Sequence, residues 1–300
     1  MTRMDLRGVF APIPTPFDRN EQLDEQRLRA ACVRWAASPL TGIVVLGSTG
    51  EAVLLDEDES DRTVAIAREA WPAGRRFIVG TGRESTAAAI HATRRAASLG
   101  ADAVLVRTPG FYKAQMNVDV FVRHYTAVAE ASPVPVLLYN FTAVTGVNLP
   151  LAAVSKLAAH PNIVGVKESG GDIAQIAEFV KGSRPGFNVL AGSSTTFYSA
   201  LGVGCVGGVL ALSCVLPDAC VRLFELTRAG KHAEASALQM RLMPIAKLVG
   251  SMHGIAGLKA SLKLVGCDVG GTRSPLAPVS DATVAALREA LVSFEEVALA

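Results

Sequence analysis

Short apolar runs recur along the chain, separated by segments whose apolar residues return every three or four positions. The runs at 8–13, 42–47, 77–80, 103–106, 134–139, 163–167, 188–191 and 207–211 are bounded by turn residues and too short for helices. Each therefore predicts a fully buried strand. Between them the helical period predicts helices over 24–37, from 56 onward, over 85–98 and over 117–131. Eight strand–helix units within roughly the first 225 residues fit an α/β fold, the (β/α)8 TIM barrel of ~250 residues. An open doubly wound sheet permits the same alternation, but a count of eight favours closure. From Leu216 onward the strand pattern stops, and 231–249, 255–265 and 281–299 predict amphipathic helices. The chain thus divides into a catalytic barrel over 1–225 and a C-terminal helical extension over 226–300, packed on the barrel or on a neighbouring subunit.

Composition narrows the function classes. Half of the 300 residues are hydrophobic and 19% are charged, enough for a sizeable core. A net charge of +2 with no basic stripe predicts no nucleic-acid partner. The most apolar stretch, 202–216, is shorter than a membrane span and rich in glycine, so it predicts strand and turn and no membrane association. The first ten residues are mixed and charged, without the apolar region of a signal peptide. Cys32, Cys205, Cys214, Cys220 and Cys267 are odd in number and never in CxxC spacing. That pattern predicts reduced thiols in the cytoplasm and no structural metal.

In such a barrel the active site lies where the strands end, so the polar residues just after each apolar run are the candidates. Lys167 closes the sixth run. A lysine there loses hydration, which disfavours the ammonium form and frees an amine able to form a Schiff base with a ketone. The alternative is a lysine that snorkels out at the strand end. After the second run, Gly47-Ser48-Thr49-Gly50-Glu51 offers backbone and hydroxyl donors suited to a carboxylate, or is an ordinary glycine turn. No Gly-Lys-Ser/Thr follows, so it is no phosphate loop. Tyr139 closes the fifth run, either as a packed ring or as a proton shuttle. Gly192-Ser193-Ser194 follows the seventh.

Other features weigh less. Gly80-Thr81-Gly82 is a lone GxG and a weak nucleotide signal. The acids Asp56-Glu57-Asp58-Glu59 suit a helix start. His253, at the start of a late helix, could face the barrel mouth or simply begin that helix; His91, His124, His160 and His232 have no partner at ligand spacing. No nucleophile elbow or Ser/His/Asp order is present.

Taken together, Gly47-Ser48-Thr49-Gly50-Glu51, Tyr139-Asn140 with Thr145-Gly146, and Gly165-Val166-Lys167-Glu168 resemble the dihydrodipicolinate synthase / N-acetylneuraminate lyase superfamily of class I, pyruvate-handling aldolases. The likeness runs from about Gly8 to Pro278. Within the superfamily, the run from Val164 to Asp172 and Gly254-Ile255-Ala256-Gly257-Leu258-Lys259 are most similar to 4-hydroxy-2-oxoglutarate aldolases. The resemblance implies that Lys167 forms the Schiff base and that Ser48 and Thr49 hold the carboxylate, with Thr49 also near the proton path. It implies that Tyr139 relays protons and that Gly192 and Val209 line the pyruvate end. It further implies no cofactor, no metal and a homotetramer built as a dimer of dimers. Ser193, Ser194, Lys113 and His253 are the polar candidates for the aldehyde end.

Three departures bear on the substrate. Val144 stands where dihydrodipicolinate synthases carry an arginine, and losing such a charge-assisted contact removes ~1.5–3 kcal/mol. Phe111 stands where a neighbouring subunit commonly lends a tyrosine, and Tyr112 beside it points the opposite way in a strand-like register. Thr142 replaces a usual proline. The expected activity is cleavage or formation of a 4-hydroxy-2-oxo acid, such as 4-hydroxy-2-oxoglutarate or a 2-keto-3-deoxy sugar acid, with pyruvate and an aldehyde as the other side of the reaction. The alternatives are dihydrodipicolinate synthase, joining pyruvate to aspartate semialdehyde, and a catalytically silent barrel that binds a sugar acid.

Overall fold

A computed structural model describes residues 4–299; Met1–Arg3, the start of the charged N-terminal stretch, and Ala300 lie outside it. The strands are β1 (Gly8–Pro12), β2 (Gly42–Val45), β3 (Arg76–Gly80), β4 (Ala103–Arg107), β5 (Val136–Asn140), β6 (Ile163–Glu168), β7 (Asn188–Ala191) and β8 (Gly207–Val209). All are parallel and close in sequence order, β8 pairing back to β1. Between them run α1 (Glu25–Ala36), α2 (Glu57–Ala70), α3 (Thr86–Ser98), α4 (Val118–Ala131), α5 (Thr142–Thr145), α6 (Leu151–Leu157), α7 (Ile173–Gly182) and α8 (Phe197–Gly202). Then follow α9 (Pro217–Arg228), α10 (His232–Lys247), α11 (Gly254–Leu264) and α12 (Asp281–Leu299). The barrel is the closed one expected from eight runs.

Local chemistry starts the helices. The side chains of Asp24, Ser85, Asn117 and Asp172 each accept from a backbone N–H in the first turn that follows. The acidic run before α2 is a capping box: Asp56 accepts from the Glu59 N–H, and the Glu59 carboxylate accepts from the Asp56 N–H. The eighth strand is shorter than its apolar run. After Val209 the chain turns through a 3-10 helix (Ala211–Cys214), with the Leu210 N–H donating to Phe10 O at 3.0 Å. The helix expected over 231–249 ends as α10 at Lys247 and continues as a π-helical turn, Leu248–Met252.

Alternation along the strands sorts the core into two shells. Phe10, Val44, Ile78, Leu105, Leu137 and Val209 point into the barrel and pack on one another. Val9, Ile43, Val79, Val106 and Leu138, each next to one of these, pack outward against the helices. Leu6 plugs the bottom; the Asn188 side chain holds this segment, accepting from the Leu6 N–H at 3.2 Å and donating to Met4 O at 3.1 Å. What remains open is the other end, where the strands finish.

Candidate active site

One irregularity decides which way Lys167 faces. Val136 pairs with Ile163, but the next residue, Leu137, pairs with Gly165, so β6 carries one extra residue. Such a bulge reverses the phase of everything after it. Leu138 pairs with Val166, which packs outward, and Tyr139 pairs with Lys167. Tyr139 belongs to the inner shell, so its partner Lys167 faces the barrel too. Without the extra residue, Val166 would take the inward place and the lysine would meet the helices.

Lys167 is 4% exposed, and its Nζ lies 4.3 Å from the centroid of the Tyr139 ring. The ring stacks on Phe141, with centroids 6.0 Å apart. Its hydroxyl shares a hydrogen bond of 3.2 Å with Ser48 Oγ, from the loop after β2. The phenol therefore connects the amine to the hydroxyl loop across the barrel mouth. The hydroxyl in contact with it is that of Ser48; Thr49, expected near the proton path, makes no side-chain hydrogen bond among the described residues.

The loop is held in a strained shape. Leu46 and Glu51, on either side of Gly47–Gly50, both adopt left-handed backbone, with φ of 56° and 54°. A side chain in that region costs of order 1–3 kcal/mol, so the surroundings have to enforce it. Gly80 contributes by lacking a Cβ, which would overlap the Leu46 carbonyl. Thr15 Oγ1 donates to Gly50 O at 2.6 Å. Behind the loop, the buried Glu51 carboxylate pairs with the Lys259 ammonium of α11 at 2.7 Å and accepts from the Arg273 N–H at 2.9 Å. The ammonium also donates to Thr15 O at 2.7 Å and Gly271 O at 2.6 Å. Burial pulls Lys259 below its ordinary pKa, while Glu51 acts the other way. Neither Lys259 as the tether of this loop nor Arg273 was legible in the sequence, because the partners lie more than 200 positions apart.

A second network fixes the strand ends from the outside. Glu168 points away from the barrel and accepts from Asn140 Nδ2 at 2.6 Å, Gln175 Nε2 at 2.9 Å and the Gly170 N–H at 2.5 Å. Burial pushes its carboxyl above the ordinary range, and these donors pull it back. Asn140 also donates to Asn148 Oδ1 at 2.7 Å and accepts from the Leu149 N–H at 2.8 Å. Tyr139 and Lys167 are thus aimed by the residues that follow them. Ser169 was passed over as a site residue. Its Oγ is buried and, among the described residues, has no hydrogen-bond partner, and it fills the space that a side chain at Gly192 would need.

The remaining candidates scatter. The Gly192 N–H donates to Glu168 O at 2.7 Å, beside Lys167. Val209 faces inward but in register with Phe10. Ser193 shares a hydrogen bond with Thr195 at 3.0 Å. Val144, on α5, is 59% exposed. His253 sits between the π-helical turn and α11. Phe111 and Tyr112 do not follow a strand-like register: they lie in a turn before a 3-10 helix (Lys113–Gln115), both exposed and edge to face at 5.0 Å. The Glu84 carboxylate bends that turn by accepting from the N–H groups of Gly110 and Phe111, at 2.9 Å each. Among the described residues, no group of three His, Cys, Asp or Glu side chains could hold a metal ion.

Comparison with known proteins places the fold in a family. The model of the dihydrodipicolinate synthetase family matches residues 5–293. A 4-hydroxy-tetrahydrodipicolinate synthase from an Exiguobacterium strain is 36% identical over 97% of this chain and 98% of its own. A probable mitochondrial 4-hydroxy-2-oxoglutarate aldolase from Emericella nidulans is 34% identical over 94% of this chain and 93% of its own. The structure of a chloride-inhibited dihydrodipicolinate synthase from Acinetobacter baumannii, complexed with pyruvate, superposes with a TM-score of 0.92 at 28% identity, covering 97% of this chain and 99% of that one. Matched along nearly its whole length, the chain belongs to the dihydrodipicolinate synthetase family and is an enzyme of that family's lyase and aldolase class.

Proposed function

We propose that this enzyme cleaves, or in reverse forms, a 4-hydroxy-2-oxo acid through a Schiff base on Lys167, with pyruvate and an aldehyde on the other side. The observation that carries the reading is the buried Lys167 amine, 4.3 Å from the ring of Tyr139, whose hydroxyl meets Ser48 at 3.2 Å. The amine adds to the C2 ketone, water leaves, and a protonated imine forms. Tyr139 takes the C4 hydroxyl proton as the C3–C4 bond breaks. The bond's electron pair moves into the imine, leaving an enamine and releasing the aldehyde. Protonation at C3 and hydrolysis return pyruvate and the free lysine. The hydroxyl loop at Ser48 and Thr49, together with its backbone donors, holds the C1 carboxylate throughout. None of these steps requires a metal or an organic cofactor.

Borohydride reduction in the presence of pyruvate, followed by peptide mass analysis, tests this: the reduced adduct is expected on the peptide containing Lys167. Absence of added mass there would sink the proposal. Dihydrodipicolinate synthase remains the second reading, supported by the 36% identity to the Exiguobacterium enzyme. The exposed, uncharged Val144 weighs against it. Pyruvate condensation with aspartate semialdehyde at the rate of the best aldol substrate would reverse the order.

For the assembly we infer a homotetramer built from dimers, supported by the exposed Phe111 and Tyr112 rings, which offer an apolar surface beside the mouth. Sedimentation analysis tests it. Five buried, unpaired thiols support a reducing, cytoplasmic setting, and among the described residues no helix is long and apolar enough to cross a membrane.

A further inference from the structure

The chemistry described so far leaves Arg107, a cation at the barrel mouth, unused. Arg107 follows the inward Leu105 by two positions on β4, so it faces the barrel interior. Its Cα pairs in register with Tyr139, which pairs in turn with Lys167. Neighbouring strands lie ~4.8 Å apart, so Arg107 and Lys167 start roughly 10 Å from each other on the same rim. A lysine bound to the C2 carbon and an arginine reaching the far end of a five-carbon substrate span that gap.

The guanidinium is built into its place. Its stem crosses Gly82, where a Cβ would overlap the arginine Cγ, which explains a glycine of the Gly80-Thr81-Gly82 stretch that had no use as a nucleotide motif. Nη1 donates to Glu84 Oε1 at 2.6 Å and to Thr108 O at 3.1 Å. Glu84 is itself anchored through its other oxygen on the N–H groups of Gly110 and Phe111. These contacts occupy one side of the fork. Among the described residues, Nε and Nη2 make no hydrogen bond, although the side chain is only 19% exposed. Nε and Nη2 form the side-on edge of a guanidinium, whose two parallel donors match a carboxylate. Because two backbone donors besides Arg107 also compensate Glu84, the free edge keeps the character of a cation.

We propose that Arg107 binds a carboxylate on the aldehyde half of the substrate, so that the enzyme prefers anionic aldehydes to neutral ones of similar size. This rests on the aldolase reading above. It places the distal cation on β4, in a chain where Val144 supplies none.

The test compares glyoxylate with glycolaldehyde, each condensed with pyruvate, in the wild type and in Arg107→Met. The expected result is a tenfold to hundredfold fall in kcat/KM for glyoxylate, on the order of one lost charge-assisted pair. Glycolaldehyde should change by about twofold or less. Equal losses for both aldehydes would mean that Arg107 serves only to hold the turn at Gly110 and Phe111 through Glu84, and would overturn the proposal. If the methionine variant fails to fold, Arg107→Lys makes the same comparison: it keeps the charge but not the fork, and an intermediate loss confined to glyoxylate is expected. Borohydride labelling with pyruvate alone separates this proposal from its parent. Labelling of the variant at the wild-type extent leaves the Schiff base intact, whereas an unlabelled wild type overturns both.

Discussion

At the scale of single residues, the site turns on which groups touch Tyr139. Tyr139→Phe keeps the ring that covers Lys167 and removes only the phenol. It is expected to lower kcat for pyruvate release by about a hundredfold to ten-thousandfold, the usual range for a lost general acid or base. Ser48 and Thr49 separate on the same assay. Because the phenol shares its hydrogen bond with Ser48, Ser48→Ala is expected to lower kcat by roughly threefold to tenfold, the weight of one such bond. Thr49→Ala should act on KM instead, through the carboxylate. A larger kcat loss in the Thr49 variant would restore it to the proton path. Both residues were legible as candidates from their place after an apolar run. Their division of labour was not, since adjacent residues in a turn do not announce where their hydroxyls point.

At the scale of elements, the packing of α3 against α4 predicts a pH dependence of stability. His124 on α4 is buried, and its Nδ1 shares a hydrogen bond with Thr86 Oγ1 of α3 at 2.9 Å. Burial lowers its pKa from 6.5 to about 4. A base with a depressed folded-state pKa stabilises the fold only while neutral. Its contribution is therefore full above about pH 6.5 and is lost as the pH falls toward 4. The loss amounts to about 3 kcal/mol over that window. Urea unfolding measured between pH 7 and pH 4 should show this slope in the wild type and lack it in His124→Leu; identical slopes would rule the histidine out. At the same scale, Asp56→Ala removes the cap of α2 and should cost about 1 kcal/mol with no effect on KM. The helix start was visible from sequence as a run of acids, because a helix and its first turn are neighbours in the chain; the reciprocal cap itself came from the structure.

At the scale of the whole molecule, the C-terminal helices act on the site through buried charge. Lys259→Met leaves Glu51 buried without its partner and is expected to destabilise by about 3–5 kcal/mol in thermal or urea unfolding. Adding Glu51→Gln removes the stranded charge, so the double variant should recover part of that loss. Costs that simply add would show that the two groups do not interact. Residue 225 lies inside α9, and α11 reaches from beyond it to the loop after β2, so the C-terminal helices and the barrel share one buried charge pair.

The sequence by itself determined the barrel. Eight buried strands require eight short apolar runs, and the residues that end those runs lie at the carboxyl ends of the strands, at the rim of the open mouth. It also determined the chemistry on offer there, an amine, a phenol and a hydroxyl loop, because those side chains carry their reactivity with them. Tertiary structure decided what depends on register and on long-range partners. The extra residue near Val164 and Gly165 turns Lys167 inward, and nothing in the order of residues distinguishes that strand from an unbulged one. Glu51 meets Lys259 only because closure brings residues 208 positions apart into one buried pair. Arg107 reads as the polar end of an ordinary strand until the sheet sets it beside Tyr139 and Gly82 leaves room for its stem. Short-range pattern is written in the chain; facing, register and buried charge pairing come into being only when the strands meet.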